Sequence, residues 1–258
     1  MPGSALVVFL QATSVAVAAA MAAKLLRTHL YRRYRVLFWY FVFRVANGVW
    51  PLFLHTKSDM YFYFWVFTLP INLLFYVWVV LELCSLVLER HKGLYTLGRW
   101  AMYFGMAVSI TLSVLSLLPR ITPATPQRSR VMVYVLATDR GVTFCMAIFL
   151  ILMLFLLSRY PVTLSRNVVL HAALYTVFFL SNTLDVILQS VFGVHLYTAI
   201  DTGLMGVSCA CLLTWLLFLS PSGEEARVQI PHFRPEHEER LLYQLDALNA
   251  TMLKISRE

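Results

Sequence analysis

The sequence predicts an all-helical integral membrane protein, a bundle of seven spans with its N-terminus outside and its C-terminus inside. Three observations lead there. The 258 residues are 60% hydrophobic and only 13% charged, with a mean hydropathy of +0.71, whereas a soluble domain carries about 25% charged residues. The apolar residues fall in seven runs close to the ~20 residues that a bilayer crossing needs. Lys and Arg gather on alternate connections between those runs. The same figures exclude disordered, collagen-like and disulfide-scaffold proteins. Seven crossings leave room for loops and one tail, and for no large soluble domain.

The expected spans are 5–26, 36–55, 61–88, 99–118, 131–158, 168–192 and 195–219. The first ends in an alanine-rich stretch that imitates a cleavage site. It lacks the preceding positive charge of a signal peptide, and Lys24, Arg27, Arg32, Arg33 and Arg35 follow it, so it reads as a retained helix with its N-terminus outside. The third and fifth runs exceed the minimum length and are expected to tilt or project. Between the fourth and fifth, Pro119, Pro123 and Pro126 stiffen the loop 119–130 and exclude a long regular element there. The first, third and fifth loops together with the tail hold 15 Lys and Arg, and the opposite side holds four. That asymmetry sets the orientation and accounts for the net charge of +8 without a nucleic-acid partner. Cys84, Cys145, Cys209 and Cys211 all lie inside apolar runs, as packing residues do.

After Leu219 the composition changes. Residues 220–234 read as a polar linker and 235–258 as a cytoplasmic amphipathic or coiled helix. Pro235 suits its first turn, with Glu236, Glu238 and Glu239 at its positive end. Leu241, Leu245, Leu248, Met252 and Ile255 repeat at spacings of 4, 3, 4 and 3, the seam of a heptad. About two heptads suit either a dimerising or partner-binding coil or a helix lying on the membrane surface.

Charges at membrane depth cost at least ~2.5 kcal/mol and face protein or water. Five occur: Arg44 in the second run, Asp139 and Arg140 in the fifth, Asp185 in the sixth and Asp201 in the seventh. At about 1.5 Å per residue all five fall in the outer half of the bilayer. Asn47, Asn72 and Asn182 lie at matching depth, and His171, Tyr175, Asn182, Asp185 and Gln189 share one face of the sixth helix. The functional expectation is an outward-opening polar pocket between helices two, three, five, six and seven. Its ligand-binding residues would be Arg44, Asn47, Asn72, Asp139, Arg140, Asn182, Asp185 and Asp201. The plain alternative is a dry ion-pair network, for example Arg44 with Asp185 and Arg140 with Asp201. Glu82, near the inner interface, reads as an ordinary boundary charge. His171, alone in its helix, reads as a hydrogen-bonded core residue.

Catalytic signatures are missing. The sequence contains no Gly-rich phosphate loop, no His-Glu-x-x-His pair and no Gly-x-Ser-x-Gly elbow. The last three spans hold no lysine, so a retinal Schiff base has no amine. Neither a metal nor another cofactor is expected.

The aromatic run 61–65, the stretch 76–82 leading to Leu94-Tyr95, and the closing residues 244–252 resemble a family of uncharacterised bacterial seven-helix membrane proteins. That resemblance implies architecture and no site residues. The layout is also similar to the seven-helix sensor modules of bacterial signalling proteins, although no kinase or cyclase domain follows. The reading is a receptor-like, non-enzymatic protein of the inner membrane that binds a small polar ligand or ion and signals through its tail helix. The alternatives are an assembly subunit of a membrane complex, and a small transporter with Asp139, Asp185 and Asp201 on a cation path.

Overall fold

A computed structural model describes residues 2–53, 59–88, 92–117, 127–159, 164–192 and 197–228, together with Tyr243 and Ala247. Nearly all of them are helical. The long helices are α1 (Pro2–Arg27), α2 (Arg35–Phe53), α3 (Asp59–Val87), α4 (Lys92–Leu117), α5 (Gln127–Arg159), α6 (Arg166–Phe192) and α7 (Tyr197–Phe218). Among the described residues, α1, α3, α5, α6 and α7 are long and apolar enough to cross a membrane. The shorter α2 and the amphipathic α4, of 19 and 26 residues, run beside them. Large apolar side chains such as Trp78, Trp100, Phe104 and Leu217 point outward, the arrangement that suits lipid contact.

Each boundary has a local cause. α1 ends on Lys24 and Arg27, where cations complement the negative end of the helix. Lys24 Nζ also donates to the carbonyl of Leu216, near the end of α7. His29 turns the chain in the left-handed region, at φ 56°. One 3-10 turn (Leu30–Arg32) then leads into α2. The first free amides of α2 are capped from α3: the Glu82 carboxylate accepts from Val36 N at 2.9 Å and from Leu37 N at 3.1 Å. Glu82 is therefore a helix cap, not the boundary charge its position suggested. α5 starts at Gln127, immediately after the last proline, four residues before the expected span.

The core is aromatic. Tyr40 and Phe41 of α2, Tyr76 of α3, Tyr175 and Phe179 of α6 and Trp215 of α7 are buried together. Phe41 meets Trp215 edge-on at 6.0 Å, and Tyr76 meets Phe179 edge-on at 5.2 Å, the geometry that ring quadrupoles favour. At the α4–α5 contact, backbones approach at Gly141. A Cβ there would lie 2.8 Å from Ile110 Cα, and Ser109 Oγ donates to the Gly141 carbonyl at 2.8 Å. Small residues permit such approach between apolar helices.

Beyond α7 the chain stays on the bundle. Ser220 caps a single turn, α8 (Pro221–Glu225), with Pro221 in its first turn. β2 (Arg227–Val228) then pairs antiparallel with β1 (Leu164–Ser165), which precedes α6. The segment expected as a linker thus folds over its first nine residues. The heptad seam of Leu241, Leu245, Leu248, Met252 and Ile255 lies outside the described residues.

Candidate functional site

Contacts between helices define two ends of the bundle. Lys24 meets Leu216 at one end, while Val15 packs on Gly48 and Arg44 bonds Ser208 toward the other. The odd-numbered helices α1 and α7 therefore run together and α2 runs against them. Arg44, Asn47 and Asn72 lie toward the second end.

They do not line one cavity. Arg44, Asn47 and Asn72 line a cavity of about 400 Å³ between α1, α2, α3 and α7, joined by Gln11, Ser14, Tyr76 and Ser208. Arg140 lines a separate cavity of about 270 Å³ between α4, α5 and α6, with Ser109, Ser113, Ser116, Thr143 and Thr183. Beside the expected helices two, three and seven, α1 contributes a wall where Val15 closes on Gly48, and the described lining includes no residue of α5 or α6. Asp139 interacts electrostatically with Tyr76 but is not among the lining residues. Asn182 is half-buried on α6, and Asp201 is exposed on α7. Asp185 belongs to α6, and its side chain lies outside the described residues. Gln11, Ser14 and Ser208 were missed. Their only signal was a neutral polar group inside an apolar run.

The first cavity centres on Arg44. Nη1 donates to Tyr40 Oη at 2.8 Å and Nη2 to Ser208 Oγ at 3.1 Å. Both acceptors are neutral hydroxyls; Asp185, offered above as an example of a partner for Arg44, has its side chain outside the described residues. Asn72 and Tyr76 of α3 lie on the same lining. Among the described lining residues there is no carboxylate. A guanidinium has five N–H donors, and these two bonds leave three.

The opposite end holds a denser network that the sequence reading did not contain. Asn167, fully buried, donates from Nδ2 to the Ser220 carbonyl at 2.8 Å and to Glu224 Oε2 at 3.1 Å. Tyr34 Oη donates to the same Oε2 at 2.8 Å, and Arg33 forms an ion pair with Oε1. Burial first, then the Glu224 carboxylate, raises the Tyr34 phenol far above its ordinary pKa. The ring of Tyr34 lies 5.8 Å from that of His171, which packs 5.5 Å from Trp215. His171 is a core residue as expected, and its Nδ1 has no hydrogen-bond partner among the described residues.

Among the described residues, no three His, Cys, Asp or Glu side chains come together as a metal site. Compared with protein-family models, curated proteins and solved structures, the chain matches none. Its likeness to seven-helix families therefore gains no support from these comparisons.

Proposed function

We propose that the chain is a receptor-like membrane protein that binds a small polar ligand in the Arg44 cavity. In this reading all seven long helices span the inner membrane, with the N-terminus outside, as the 15-to-4 distribution of Lys and Arg favours. The observation that carries the reading is the cavity itself. It has a ligand-sized volume, a polar lining and a guanidinium with donors to spare. A connected route supports signalling. Tyr40 and Phe41 follow one another on α2, Phe41 packs on Trp215, Trp215 on His171, and His171 on Tyr34, which bonds Glu224 just before the tail. A ligand that favours one arrangement of α2 and α7 would bias that route through its differential affinity.

Thiol accessibility tests the reading. The native cysteines are all buried, so an Asn47→Cys variant carries the accessible thiol. In intact cells, a membrane-impermeant maleimide should label it from outside. Labelling only after permeabilisation would overturn the orientation, and no labelling in either case would overturn the open cavity. The transporter reading has less support, since neither Asp139 nor Asp201 lines this cavity.

A further inference from the structure

We infer that the Arg44 cavity takes a carboxylate, an organic acid with a short apolar body next to its charged group. This rests on the ligand-binding reading above and narrows it to one chemical class.

Charge is the first argument. Arg44 sits nine residues into α2, roughly 13 Å along the helix, and a charge at that depth is normally paired. Its hydrogen bonds go to two hydroxyls, which carry no countercharge. The other described polar lining residues, Gln11, Ser14, Asn47, Asn72 and Tyr76, are neutral. The described lining residues thus carry one net positive charge, which disfavours cations and matches a single negative one. A phosphate dianion would bring a second charge with no partner among the described lining residues.

Geometry is the second argument. Each terminal nitrogen keeps one N–H after bonding Tyr40 or Ser208, and Nε keeps its own. A guanidinium edge offers parallel donors spaced for the two oxygens of a carboxylate. The amides of Gln11 and Asn47 add further donors beside it. Val7, Val15 and Met205 supply the apolar wall. The acid can arrive from water or, as a fatty acid, from the bilayer, and these sources share the same headgroup chemistry.

The test uses the full chain in phosphatidylcholine nanodiscs and follows its thermal unfolding midpoint. The probes are butyrate from water and oleate in the membrane, with butyramide and oleamide as uncharged counterparts. One or both acids should raise the midpoint while the amides do not, and the acid that acts identifies the source. Asn47→Asp places a carboxylate inside the cavity, so it should raise the half-saturating concentration of that acid at least tenfold. Arg44→Gln should abolish the effect. If Arg44→Gln does not fold, Asn47→Asp still decides the matter, since it leaves Arg44 in place. Equal protection by acid and amide, lost on Ser14→Trp, would overturn the carboxylate assignment and keep the binding cavity. Protection by none of the four probes would overturn the assignment whatever the thiol labelling shows. Undiminished acid binding in Asn47→Asp would overturn it as well.

Discussion

Replacing Asn167 by Ala should release the segment that follows α7 while leaving the helices in place. The side chain is fully buried, donating to the Ser220 carbonyl and to the Glu224 carboxylate. A neutral hydrogen bond contributes about 0.5–1.5 kcal/mol and one to a charged group about 1.5–3 kcal/mol. Glu224 retains Tyr34 and Arg33 and its side chain is 17% exposed, so the loss should total about 2–4 kcal/mol, the upper end reduced for solvent screening. At ~1.4 kcal/mol per tenfold, local opening of the segment becomes about 30 to 700 times more frequent. Amide hydrogen exchange reads this directly. The amides of Gly223 and Ala226 bond to the Ser220 and Ser222 carbonyls, and both should exchange faster by that factor, while amides in the middle of α6 keep their rates. If Gly223 and Ala226 exchange within about threefold of the wild type, Asn167 does not hold the segment and the argument fails.

Three further outcomes follow from the same structure. Glu82→Ala uncaps two amides of α2 and should cost about 1–2 kcal/mol, with Glu82→Gln losing less; identical unfolding midpoints in all three proteins would contradict the cap. Gly141→Ala drives a Cβ into the backbone of α4 and should cost about 1–3 kcal/mol, whereas Gly203→Ala, with nothing within 4 Å, should be neutral or slightly stabilising in the same unfolding assay. The Tyr34 phenol is raised by burial and by Glu224, so its contribution to stability is fully present below its unfolded value of about 10 and is lost as pH climbs toward the folded value. The wild-type minus Tyr34→Phe absorbance difference should therefore show no phenolate from Tyr34 at about pH 10 in the folded protein, and a phenolate signal there would refute the buried hydrogen bond.

The helices were legible because burial in lipid writes itself into composition. Apolar runs of sufficient length mark α3 and α6 to within a few residues, and the proline triplet sets the start of α5 one turn earlier than hydropathy alone suggested. Part of the cavity was legible for the same reason, since Arg44, Asn47 and Asn72 stand out against their apolar neighbours. Which helix faces which is not a property of any one segment. Gln11 and Ser14 looked like minor interruptions of an alanine-rich span until Gly48 brought α1 against α2. The Asn167–Glu224 network joins residues far apart in the chain, and each of its members reads alone as an ordinary interfacial polar residue. Even Glu82 became a cap only once α2 was placed beside it.

The close packing of the first helix on the last has a bearing on biogenesis. Ala18, Met21 and Leu25 of α1 are wholly buried, and Lys24 finds its carbonyl acceptor at Leu216, 192 residues downstream. In a nascent chain, α1 therefore lacks this partner until α7 has been synthesised. The seam between α1 and α7 can therefore close only last, and a chain truncated before α7 would leave Ala18, Met21 and Leu25 without that part of their packing.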